Sequence, residues 1–157
     1  LNRTLGENEL FKQDLADVTR EVLQQQLAER IEFATLGYSL QDSMIMRKGC
    51  TDIAKIFDLL DKNEVRHLSD WLLMARSAAV RASEADSFER QARNLLTLFS
   101  PTGEEDYGQK QWGGLIKKFY SKRWSLFCEY IQTGARFSQI KMNEKSISEV
   151  EVPFGHL

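Results

Sequence analysis

Apolar residues recur at three- and four-residue steps along most of the chain, the spacing that lines one face of an α-helix. The first such run follows Asn8, a good N-cap with Glu9 behind it. It carries Leu10, Phe11, Leu15, Val18, Val22, Leu23, Leu27, Ile31 and Ala34, with Gly37 as its end or a bend. A second helix is predicted over residues 41–60, with Met46, Cys50, Ile53, Phe57 and Leu60 on one face and Gly49 marking close packing against a neighbour. The polar stretch DKNEVRH (61–67) reads as a turn. Ser69 is the expected cap of a third helix carrying Trp71, Leu72, Ala75, Ala78, Ala79 and Ala82. Ser83 opens a capping-box-like SEAD, which predicts a fourth helix through Phe88, Ala92, Leu95, Leu96 and Phe99.

After the breaker SPTG (100–103), a long fifth helix is expected from about Asp106 to Thr133, capped by the acids Glu104, Glu105 and Asp106 and closed by Gly134. Its first turns read DYGQKQWGGL (106–115), where Gly108, Gly113 and Gly114 interrupt the helical pattern, although each costs a helix about 1 kcal/mol relative to Ala. Gly113-Gly114 is expected to let a neighbouring helix approach closely. The final KMNEKSISEVEVPFGHL is polar and without period, an irregular surface segment. The pattern therefore predicts an all-α, bundle-like single domain of about five helices over residues 1–137, followed by a partly irregular tail over 138–157.

Composition narrows the picture. With 157 residues, 42% apolar and 28% charged, the chain has enough material for one folded core and is too apolar for a disordered tail. No apolar run approaches the ~20 residues a membrane-spanning helix needs, so membrane insertion is not expected. The start LNRTLGENEL has neither a signal-like core nor a Met, as in a processed chain or a piece of a longer one. A net charge of −2 gives no general attraction for polyanions. The basic-aromatic stretch KKFYSKRW (117–124) reads as a helix with a buried aromatic face and solvated lysines, so no nucleic-acid partner is expected.

Candidate chemistry is sparse. His67 and His156 lack ligand partners at helical spacing, so no metal site is expected, and no phosphate-binding glycine loop points to a cofactor. Two peripheral histidines and scattered serines do not assemble a hydrolytic triad. Cys50 and Cys128 stand 78 positions apart on helix faces, and spacing leaves open whether they are free or paired. Asn2-Arg3-Thr4 is a formal glycosylation acceptor.

Several ordered motifs carry more information. FKQDLADVTREVL (11–23), DWLLMAR (70–76), ARNLLTLFSP (92–101), DYGQKQWGGLIKKFYSKRWSLF (106–127) and TGARF (133–137) together resemble the C-terminal helical domain of the α-N-acetylglucosaminidases, across about residues 10–137. The strongest stretch is similar to that family's DYxxKxWxGLxxxYYxxRWxxF. The resemblance implies a retaining hydrolysis of terminal α-linked N-acetylglucosamine. It implies catalytic glutamates on a TIM-like barrel, which needs about 250 residues and is absent from this chain. It further implies that the helical domain packs on that barrel, its partner in the same parent chain, and forms one wall of the sugar pocket.

Within this chain the resemblance points to no catalytic residue. It points to Tyr107 and Asp106 as substrate-binding residues, and to Trp112, Gly114, Leu115, Tyr120, Arg123 and Trp124 as packing. The chain alone is expected to be inactive, and a lysosomal or bacterial periplasmic or extracellular location is implied. Gln91, Phe99 and Gln109 depart from the family's Asn, Trp and Asn. The alternative reading is a freestanding all-helical protein-interaction module, docking through the Gly/aromatic face of the fifth helix.

Overall fold

A computed structural model of the chain describes residues 6–97, 110–133, 149–150 and 153–154. The described residues form five α-helices: α1 (Glu9–Ser39), α2 (Ser43–Asn63), α3 (Leu68–Ser77), α4 (Ala85–Thr97) and α5 (Ser121–Gln132). A 3-10 turn (Ala82–Glu84) precedes α4, and a π-helical stretch (Ile116–Tyr120) runs directly into α5. The fold class is all-α, and among the described residues the one sheet-like feature is an isolated parallel bridge between His67 and Gly113.

Helices α1 and α2 form a long antiparallel hairpin. Asn8 caps α1, its Oδ1 accepting from the amides of Leu10 (2.9 Å) and Phe11 (3.3 Å). Asp42 does the same for α2, accepting from Met44 and Ile45. Gly37 does not end α1, which runs on to Ser39. The two helices meet where side chains are smallest. A Cβ added at Gly49 would fall 2.7 Å from the Cβ of Ala34, so only glycine allows this approach.

The core lies between this hairpin and α5. Met46, Cys50, Ile53, Phe57 and Leu60 of α2 are buried, as their spacing predicts, against Phe119, Leu126, Cys128 and Ile131. Cys50 and Cys128 form a disulfide with Cα atoms 5.8 Å apart, which settles the state that spacing leaves open. Trp124 packs on Phe57 and Phe127. KKFYSKRW divides as expected, with Phe119 and Tyr120 buried while Lys117, Lys118 and Lys122 face solvent. Two residues of the tail enter the core rather than lying on the surface. Val150 and Phe154 are buried, and Phe154 packs against Phe119 at 5.4 Å and under the guanidinium of Arg93.

The first helix departs from expectation. Of the expected positions Leu10, Phe11, Leu15, Val18 and Val22 are exposed, while Leu23, Leu27, Ile31 and Ala34 do line the core face, joined by Ala16. At 100° per residue the two sets lie on different faces, the exposed one confined to the N-terminal half of α1 and the core-facing one running on into its C-terminal half.

Helices α3 and α4 form a second, shorter hairpin. Trp71 Nε1 donates to the carbonyl of Ala92, and Arg76 bridges to Asp86 and Glu89, each at 2.7 Å. Helix α3 begins at Leu68 with His67 at the cap position, not Ser69, and stops at Ser77, leaving Ala78 and Ala82 exposed. Ser83 lies inside the 3-10 turn rather than capping α4, and Glu84 accepts there from the Arg81 amide. Phe88 and Leu95 face outward, while Ala92, Arg93 and Leu96 are buried.

Hydrogen bonds from Arg93, then from Arg76, hold the Glu89 carboxyl below its ordinary range. A depressed carboxyl contributes stability above its unfolded pKa and loses it as pH falls through the folded value. The stability difference between the protein and a Glu89→Gln variant is therefore expected to be constant from neutral pH down to about pH 5. It should shrink towards zero below the usual glutamate range of about 4.3, as read by urea unfolding across pH.

Candidate functional site

The segment 110–115 occupies the junction between the α2–α3 connector and the start of the fifth helical run. Residues 110–114 are not helical, contrary to the expectation of a helix from Asp106. Helical backbone starts only at Leu115, whose side chain is fully buried. Gly113 donates to the carbonyl of Arg66 at 2.8 Å and accepts from the amide of Leu68 at 2.9 Å. These bonds give the first turn of α3 the partner that no side chain supplies.

The two adjacent glycines serve different needs. A Cβ at Gly113 would sit 2.5 Å from Nδ1 of His67, so the absence of a side chain lets the connector close on this segment. Gly114 has φ +84°, a left-handed conformation that favours glycine. The close neighbours are thus the His67 side chain of the α2–α3 connector together with the adjoining ends of α2 (Asp61) and α3 (Leu68).

The cap of the fifth helical run comes from elsewhere in the chain. Oδ1 of Asp61, in the last turn of α2, accepts from the amides of Gly114 (2.7 Å) and Lys117 (2.9 Å). An aspartate 53 positions upstream performs the capping that the sequence pattern assigns to Glu104, Glu105 and Asp106. Trp112 packs its ring on Trp71 at 5.9 Å, tying the segment to α3 as well.

Beside this junction an open polar groove of about 500 Å³ lies between α1 and the connector, with Gln13, Asp17, Arg20, Glu64, Arg66 and Gln111 among its walls. Its floor is an ion pair. The Glu64 side chain is 2% exposed and accepts twice from Arg20, at 2.7 and 3.1 Å, and Arg20 also reaches Asp17 at 2.8 Å. Hydrogen bonding to Glu64 holds the Arg20 guanidinium above its already high ordinary range. Asn63 Nδ2 donates to the carbonyl of Ala16 and closes α1 against the end of α2.

Asp106 and Tyr107, the residues expected to bind substrate, lie outside the described residues, as do Phe99, Gln109 and the acids at 104–105. The residues just downstream of them are brought together at the junction: Gln111 at the groove, Trp112 on Trp71, and the glycine pair on the connector. Sequence reasoning misses Asp61 and Glu64, because both stand in a polar stretch that reads only as a turn. Arg20 does stand in a singled-out motif, FKQDLADVTREVL, but nothing local pairs it with a residue 44 positions away. Among the described residues no group of three His, Cys, Asp or Glu could hold a metal ion, and no helix is long and apolar enough to cross a membrane.

The same arrangement of helices recurs in a family 89 glycoside hydrolase from Clostridium perfringens, solved in complex with 2-acetamido-1,2-dideoxynojirmycin. The TM-score is 0.80 at 20% identity, over 96% of this chain and 18% of that one. A second structure from that organism, in complex with its substrate GlcNAc-α-1,4-galactose, matches with a TM-score of 0.78 at 20% identity, over 94% of this chain and 18% of the other. The fold class is therefore that of a helical domain found within large glycoside hydrolases.

The description of the matching family is more particular: α-N-acetylglucosaminidase (NAGLU) C-terminal domain, over residues 1–156. The chain belongs to this family. It is 33% identical to the human α-N-acetylglucosaminidase over 161 aligned positions, covering 96% of this chain. It spans about a fifth of these relatives, 22% of the human enzyme and 18% of the clostridial chain.

Proposed function

We propose that the chain serves as a helical accessory domain of an α-N-acetylglucosaminidase, a retaining glycoside hydrolase that releases terminal α-linked N-acetylglucosamine from a glycan. The observation that carries this reading is the 33% identity to the human enzyme, sustained across nearly the whole chain. In this reading the two carboxyl groups of a retaining mechanism, about 5 Å apart, lie on a barrel domain of the parent protein, and this chain contributes one wall of the pocket. Tyr107 presents its ring or hydroxyl to the sugar, and Asp106 accepts a hydrogen bond from it. In sequence these two residues stand a few positions before Gly113 and Gly114, which are anchored to the α2–α3 connector and to Asp61. The buried disulfide accords with the oxidising compartment that a lysosomal, periplasmic or extracellular enzyme occupies.

The test uses the intact parent enzyme on an aryl α-N-acetylglucosaminide. Tyr107→Ala is expected to lower kcat/KM by about 10- to 100-fold, the range for losing one positioned sugar contact, while the melting temperature holds. Unchanged kinetics would remove Tyr107 from the pocket.

A further inference from the structure

We propose that the outward apolar strip on the N-terminal half of α1 docks against the part of the parent enzyme that precedes this domain. The inference rests on reading the chain as a domain of a longer α-N-acetylglucosaminidase, and is independent of the roles of Asp106 and Tyr107. Phe11, Leu15, Val18 and Val22 follow one another at steps of four, three and four residues. At 100° per residue they fall within about 60° of one another, in a strip about 16 Å long. Each is between 40% and 63% exposed. Together they offer water roughly 400 Å² of apolar surface, a size at which a patch often serves as a contact surface.

The hairpin leaves this strip uncovered, because Ala16, Leu23, Leu27, Ile31 and Ala34 turn a different face of α1 to the core. Exposed polar residues, Gln25, Gln26 and Glu29, take over the strip's face in the next two turns, as expected of a helix face that stays in water. Thr19, at the margin of the strip, turns its hydroxyl back onto the carbonyl of Leu15 at 2.7 Å, so covering this margin strands no donor. What covers the strip follows from the chain outside the domain. The matching family is a C-terminal domain, and the chain accounts for 22% of the human enzyme, so the greater part of such a parent lies ahead of it. Helix α1 is the first helix of the described residues, and the strip occupies the half of it nearest that junction in sequence. A covalently joined neighbour meets the strip at high effective concentration, an advantage that a second copy lacks. Contacts between domains bury about 600–1,500 Å² in all, and a strip of this area supplies the apolar centre of one side.

The test is hydroxyl-radical footprinting of the unmodified, full-length parent enzyme, read by mass spectrometry and referred to the urea-unfolded enzyme. Phe11, Leu15, Val18 and Val22 are expected to be oxidised at least about 10-fold more slowly in the native enzyme, as Ile53 and Phe119 of the core are, because the centre of an interface is closed to water. Protection smaller than that overturns the proposal. A photo-crosslinker identifies the occupant: with Phe11 replaced by p-benzoylphenylalanine, irradiation should join this position to residues ahead of the domain in the same chain. Cross-links only within this domain or to a second chain, or protection that fades on dilution, overturn it too. The footprint needs no variant, so it decides the matter even where the Phe11 replacement does not fold. An unprotected strip in a full-length enzyme that cleaves an aryl α-N-acetylglucosaminide removes the docking face and leaves the accessory-domain reading standing. A natural protein no longer than this chain removes both.

Discussion

Replacing Cys50 by Ala is expected to lower the stability of the domain by about 4 kcal/mol, and its melting temperature by about 10 °C. The bond joins positions 78 residues apart, and closing a loop of that length removes much of the freedom of the unfolded chain. Both sulfurs lie in the main core, where α2 meets α5, so the link fastens two elements that are far apart in sequence. The signature of the bond, as opposed to two independent packing losses, is non-additivity. Cys50→Ala, Cys128→Ala and the double variant should unfold at nearly the same urea concentration, and reductant should bring the unmodified protein towards them. Additive losses, or a melt indifferent to reductant, would show that the two thiols are not joined.

Arg20→Ala is the second large effect, at about 3 kcal/mol. The carboxylate of Glu64 is almost wholly removed from solvent, and the bidentate contact from Arg20 is what makes that burial tolerable. Truncating the arginine strands a charge, which costs far more than removing both members of the pair. Glu64→Gln with Arg20 intact should cost less than Arg20→Ala, because the amide oxygen still accepts. A combined Arg20→Met and Glu64→Leu replacement should recover much of the loss, read as urea midpoints at neutral pH. If Arg20→Ala costs no more than an exposed pair does, below about 1 kcal/mol, the groove hydrates Glu64 well enough to replace its partner.

The all-helical class is legible in the hydrophobic period, because helices this long repeat their pattern many times. Helix α2 is legible nearly residue by residue: its five expected core positions are all buried, with Ile56 in addition, and Gly49 sits against Ala34 as its isolation in the helix implies. Helix α1 misleads for a physical reason. A helix with two apolar faces satisfies the three-and-four rule on either, and spacing alone does not say which one meets α2. Leu15 and Val18 obey the pattern as well as Leu23 does, and only the tertiary packing separates them.

The junction at 110–117 is half legible. The glycine pair correctly marks a close approach, but what approaches most closely is the His67 side chain, and the cap is Asp61. A cap in its usual place leaves a local signature, an acid or hydroxyl just before the first turn. A cap supplied from another helix leaves none, because its identity depends on how α2 and the fifth run are packed. The tail escapes in the same way: Val150 and Phe154 enter the core as single residues from a polar stretch, too few to set up a period.

The borrowed cap also bears on the order in which the chain can fold. An N-cap within its own helix is available as soon as that turn forms, so the helix can start by itself. Here the start of the fifth run must wait for the end of α2, and the ends of a loop of more than fifty residues have to meet before either amide finds its acceptor. The α1–α2 hairpin, built from near neighbours in sequence, can form early, and the run leading into α5 condenses onto it. Helix start, connector and hairpin end thus belong to one cooperative unit, in which the last turn of α2 cannot fray without releasing the first turn of its partner.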